Sequence, residues 1–126
     1  MTEHMLLRRI VEFLPRFAYR FGDEKQLHEG IATVLQQHGV GFQREYVASK
    51  EDRFDFLCDG GIVIEAKIHG SLSPALRQAA RYAKHDMVCA IVIATSRHWG
   101  GARKLRAGAT MNGKPVKMVQ LRGQSF

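Results

Sequence analysis

The sequence predicts an α/β domain, a mixed sheet flanked by helices. Three observations carry this. Apolar residues recur at helical spacing through the first 37 residues; two short runs rich in apolar residues meet at Asp59-Gly60-Gly61; and an almost wholly apolar, β-branched run follows one further helix. With 126 residues, 45% of them apolar and 25% charged, the chain reads as one domain over residues 1–126. A chain of this length can bury a core without disulfides or a structural metal.

In residues 4–21, Leu6, Ile10, Phe13, Leu14 and Phe17 follow a helical period, and Pro15 is expected to kink or split that helix. Gly22-Asp23 stops it and caps a second helix over about 24–37, with Leu27, Ile31, Val34 and Leu35 as its stripe. Residues 41–48 alternate as a strand, and 53–58 and 62–68 read as a hairpin about the DGG turn. Ser71 or Ser73 caps the next helix, with Pro74 in its first turn, and the helix runs to about His85. The run 87–95 reads as a strand buried on both faces. A basic loop or short helix follows over 97–108, then a tight turn at Asn112-Gly113 and a last strand over 116–121.

No run of apolar residues is long enough for a transmembrane helix, and the first 22 residues lack the apolar stretch of a signal peptide. The expectation is a cytoplasmic protein with no membrane partner. Cys58 and Cys89 each lie in an apolar run and are expected to be buried; alone they cannot make a Cys-based zinc or iron–sulfur site.

The net charge is +7, and it is unevenly placed. Residues 1–86 hold twelve basic and twelve acidic side chains, whereas residues 87–126 hold seven basic and no acidic ones. A basic tail on a neutral body points to a polyanionic partner. Within the tail, Arg97, His98, Trp99, Arg103, Lys104 and Arg106 are candidates for gripping a phosphate backbone, with Trp99 as the stacking aromatic.

Chemistry concentrates in the hairpin. Glu65 and Lys67 are two apart and share a strand face, and pairing across the turn brings Asp55 beside Glu65. Phe54, Phe56, Ile62, Ile64 and Ile68 surround them. Two acids and a lysine in apolar surroundings are costly unless they pair or bind something, and a hard divalent cation such as Mg²⁺ suits them. An exposed Glu65–Lys67 ion pair is the plain alternative. Of the six histidines none shows zinc-ligand spacing; most are expected at the surface, with His69 and His98 near a passing phosphate.

Asp55…Glu65-Ala66-Lys67 resembles the PD-(D/E)XK nuclease signature, D-x9-E-A-K, although Phe54 stands where that signature has proline. Gln78-Ala79-Ala80-Arg81-Tyr82 is similar to the Q-x-x-x-Y motif of the RecB-like branch. The resemblance spans about residues 24–95. It implies a restriction-endonuclease-like core of helix, three-stranded meander, helix and strand, here with an N-terminal helix and a C-terminal strand added. It further implies Mg²⁺-dependent hydrolysis of DNA phosphodiesters, with Mn²⁺ able to substitute. Asp55, Glu65, Lys67 and Gln78 would be catalytic, Asp55 and Glu65 would hold metal with Glu29 assisting, and Tyr82 would pack or contact nucleic acid. A dimeric structure-specific resolvase and a non-catalytic nucleic-acid-binding module of the same fold are the competing readings. A homodimer and a subunit of a larger nuclease complex both stay open.

Overall fold

A computed structural model describes residues 2–96 and 108–124. It is a mixed α/β domain with helices on both faces of a sheet. Helix α1 covers Glu3–Phe13, α2 Glu24–Gln37 and α3 Leu72–Tyr82. The strands are β1 (Ala18–Tyr19), β2 (Phe42–Val47), β3 (Arg53–Cys58), β4 (Ile62–Lys67), β5 (Ala90–Thr95), β6 (Thr110–Met111), β7 (Lys114–Gln120) and β8 (Arg122–Gly123). Six of them form the main sheet in the order β2-β3-β4-β5-β7-β6, and β1 pairs separately with β8. The β2–β3–β4 meander is antiparallel; β4, β5 and β7 are parallel neighbours. Among the described residues, no helix is long and apolar enough to cross a membrane.

Local chemistry explains the boundaries. The Thr2 hydroxyl caps α1 by accepting the Met5 N–H, and Asp23 Oδ1 caps α2 by accepting the Gln26 N–H at 2.7 Å. Pro15 does split the first helical stretch: α1 ends at Phe13, Leu14–Arg16 tighten into a 3₁₀ turn, and the chain leaves extended at Phe17. α3 ends at Tyr82 rather than near His85, because Lys84 and His85 bond to carbonyls three residues back and tighten the exit. Asn112 and Gly113 both take positive φ and join β6 to β7 as a two-residue hairpin.

The sheet separates two apolar clusters. On one face Leu6, Ile10, Leu27, Ile31 and Leu35 from α1 and α2 pack on Phe56, Ile62, Ile64 and Val92. On the other, Ala79, Tyr82 and Ala83 of α3 pack on Phe54, Val63, Ile91 and Ile93. β5 is buried on both faces, as its composition demands. It starts at Ala90 instead of residue 87, and this corrects one expectation. Cys58 is buried but Cys89 is exposed. Cys89 lies in the approach to β5, where its N–H bonds to the Gly61 carbonyl at 2.7 Å and only Val88 turns inward. Gly61 is obligatory there: it has φ 77°, and a Cβ would run into the Met87 carbonyl.

One irregularity shapes the site. Residues two apart in a strand share a face. Yet Phe54 belongs to the α3-side cluster and Phe56 to the α1/α2-side cluster. On β2, Tyr46 and Phe42 divide in the same way. Both strands therefore switch faces together, at Asp55 and at Glu45, whose φ is 51°.

Candidate functional site

β3 and β4 pair from the Asp59–Gly61 turn through Cys58↔Ile62, Leu57↔Val63 and Phe56↔Ile64. The next rung would set Asp55 opposite Glu65, and there side chains replace the backbone ladder. The Asp55 N–H donates to Glu65 Oε1 at 2.8 Å, and the Ala66 N–H donates to Asp55 Oδ2 at 2.8 Å. The two expected acids are thus brought together at the point where the strands part.

Their environments differ. Asp55 is half-buried, while Glu65 is only 4% exposed. Burial, reinforced by the Asp55 charge, pushes the Glu65 carboxyl up to about 9; the Asp55 N–H and the Lys67 ammonium oppose this without cancelling it. At neutral pH Glu65 therefore carries a proton that a cation would displace. Lys67, half-buried two residues on, shares the Glu65 face and forms no salt bridge among the described residues. Asp55 and Glu65 together offer oxygens to a hard divalent ion.

Gln78 is half-buried on α3 and makes no hydrogen bond among the described residues. Tyr82 lies in the core. It is 2% exposed, its ring meets Phe54 edge-on at 4.7 Å, and its hydroxyl donates to the Arg53 carbonyl at 2.9 Å. Glu29 lies at the surface, its side chain 59% exposed and paired with Arg44 at 3.0 Å. His69 is exposed. Arg97, His98, Trp99, Arg103, Lys104 and Arg106 lie outside the described residues.

Two residues at the site escape sequence reasoning. His28, one position before Glu29, is 8% exposed and packs edge-on against Phe56 at 5.6 Å. Its Nε2 is 3.4 Å from Asp55 Oδ2 and its Nδ1 3.5 Å from Glu45 Oε1. The Asp55 carboxylate, helped by Glu45 and Glu24, raises the His28 pKa against the opposing effect of burial. A signal for His28 existed: His28, Ile31 and Leu35 are spaced i, i+3, i+7, which puts the imidazole on the buried stripe. Glu45 gave none, since its position depends on the β2–β3 register. No protein-family model, curated protein or solved structure matches the chain.

Proposed function

We propose that this chain is a metal-dependent nuclease that hydrolyses phosphodiester bonds in DNA. The observation that carries the reading is the Asp55–Glu65 pair, joined through backbone amides at the open end of β3 and β4, with Lys67 on the Glu65 face. Glu65 is buried beside a second acid, an arrangement that a bound cation stabilises. The order α2, β2–β3–β4, α3, β5 supports the finer fold reading, a restriction-endonuclease-like core with α1 before it and β7 after it.

Asp55 and Glu65 would hold Mg²⁺, or Mn²⁺ in its place. Such an ion, when bound, acidifies water and draws charge from a phosphate. The protein's own groups do the rest. The Asp55 N–H fixes Glu65 Oε1, the Ala66 N–H fixes Asp55 Oδ2, and the pair is pre-aimed before a ligand arrives. Lys67 supplies a cation that orients the attacking water and offsets charge growing on the phosphate. Gln78 is an accessory residue on the neighbouring helix. The basic tail binds backbone phosphates and contributes affinity with little sequence readout.

The test is incubation of the full chain with linear, circular, single-stranded and branched DNA in Mg²⁺, Mn²⁺ or EDTA. Cleavage with either ion and none in EDTA is expected. Absence of cleavage on every substrate, or cleavage that survives EDTA, would overturn the reading.

A further inference from the structure

We propose that the cavity beside β1 and β8 is a base pocket, which takes the unpaired base of a nucleotide a few positions from the phosphate held at Asp55 and Glu65. Phe21 stacks on the base, and the side-chain amides of Gln26 and Gln124 donate to its carbonyl edge. This rests on the nuclease reading and narrows its substrate to DNA that is single-stranded or unpaired at that position.

The cavity lies at the end of the sheet that bears the two acids. β4, β5 and β7 run parallel in a register that aligns Lys67 with Thr95 and Thr95 with Gln120. β8 follows β7 after Leu121, so Gly123 and Gln124 leave the sheet at the end where Glu65 and Lys67 stand. Two strand spacings of about 4.8 Å put the end of β7 roughly 10 Å from the end of β4. At a rise of about 3.4 Å per nucleotide, that is a span of about three nucleotides. The cavity has a volume of about 600 Å³, well within the range of pockets that take small ligands.

No acidic side chain lines it, and its free polar groups are donors. Gln26 Oε1 accepts the Gly22 N–H at 3.0 Å, and Gln124 Oε1 accepts the Arg20 Nε–H at 3.2 Å. With both carboxamide oxygens taken, the two NH₂ groups and the outer guanidinium nitrogens have no partner among the described residues. Such a lining selects an acceptor-rich ligand: O4 of thymine, or O6 and N7 of guanine, for the amides, and a phosphate oxygen for Arg20. Phe21 supplies the stacking surface. It is half-buried, packs against the core and lines the cavity. A base inside a duplex has both faces covered by its neighbours and cannot stack there, so the ligand is unpaired.

Gly22 and Gly123 keep the space open. Neither has positive φ, so backbone conformation does not call for glycine at these positions. A Cβ on Gly22 would collide with the Gln26 carboxamide, and one on Gly123 would come within 3.3 Å of the Phe21 ring.

The test uses the full chain in EDTA, so that binding is read apart from cleavage, and a thymine-only single strand in which 5-iodouracil replaces some of the bases. Irradiation followed by trypsin and mass spectrometry should find the cross-link in peptide 21–25, whose one aromatic is Phe21. The same iodouracil in the middle of a fully paired duplex should give none. Phe21→Leu keeps an apolar side chain and should weaken single-strand affinity about fivefold or more, the scale of one lost stack. Gly123→Val keeps Phe21 but crowds its ring and should weaken affinity alike, so the proposal stays testable if Phe21→Leu misfolds. No cross-link in peptide 21–25, an equal yield from the duplex, or wild-type affinity in Gly123→Val would overturn the proposal. A chain that cross-links at Phe21 yet cleaves no DNA in Mg²⁺ or Mn²⁺ would sink the nuclease reading and leave the pocket in place, so the two fail separately.

Discussion

The Asp55 amide donates to the Glu65 carboxylate while the Asp55 carboxylate accepts the amide of Ala66, so each acid is held by the other's strand. This arrangement replaces a rung of backbone pairing with side chains. It satisfies amides that would otherwise be left unpaired where β3 and β4 part, and it leaves carboxylate oxygens free to bind a ligand. Structure and chemistry are thus mixed in the same atoms, and conservative substitutions separate them.

Glu65→Gln keeps an acceptor for the Asp55 N–H but removes the anion. It should retain the fold and lose cleavage by at least about a hundredfold, the scale of removing one electrostatic contact to a developing charge. Lys67→Met should behave alike. Asp55→Ala differs, because it also leaves the Ala66 N–H without its acceptor. It should lose cleavage and about 1–3 kcal/mol of stability. Thermal melts beside cleavage rates check this; full activity in Glu65→Gln would exclude Glu65 from the site.

The raised Glu65 carboxyl makes a pH prediction. Its folded value of about 9 lies above its ordinary 4.5, so between those values the folded state binds a proton that the unfolded state has released. Stability of the cation-free protein then falls as pH rises through that window. His28, raised above 6.5, adds in the same sense: its contribution is complete below its ordinary value and is lost as pH climbs through the folded one. Glu65→Gln should therefore melt higher than wild type at pH 8, and the gap should narrow towards pH 5. A divalent cation should reverse the wild-type trend, since it binds the deprotonated acid. Melting curves from pH 5 to 9 in EDTA and in Mn²⁺ read both effects.

Tyr82 separates core from surface. Tyr82→Phe removes the hydroxyl that bonds the Arg53 carbonyl and should cost about 1 kcal/mol without changing DNA affinity. Tyr82→Ala empties a site between Phe54 and α3 and should cost about 3–5 kcal/mol. Weaker DNA binding by a fully folded Tyr82→Phe would return this residue to the nucleic-acid surface.

Much of this architecture was legible in the chain. The strand β3 and helix α2 fall at their expected limits because alternation and caps are local signals. The pair β1–β8 was not legible: two-residue strands have no periodicity, and Ala18 meets Arg122 only through the whole fold. The same division runs through the site. Asp55, Glu65 and Lys67 follow from strand alternation and one turn. Choosing His28 over Glu29 depended on reading α2's buried stripe strictly. Glu45 could not be read at all, since an unusual φ in mid-strand sets both its face and its neighbour. Tyr82 shows the converse, a residue whose motif suggested function and whose packing gives it a place in the core.

The excess positive charge lies after Asp86, seven basic and no acidic residues, and is the expected grip on DNA. If about four to six of them contact phosphates, log K on duplex DNA should fall with log salt at a slope near −4 to −5. Replacing Arg103, Lys104 and Arg106 together by Ala should flatten that slope by about two to three units, roughly one per lost contact. Asp55, Glu65 and Lys67 are untouched by this change, so cleavage should persist at low salt, where weakened binding is least felt. Fluorescence anisotropy on one duplex across a salt series measures both slopes. An unchanged slope in the triple variant would move the DNA path to α1 and the segment after it, where Arg8, Arg9, Arg16 and Arg20 are the remaining concentration of positive charge.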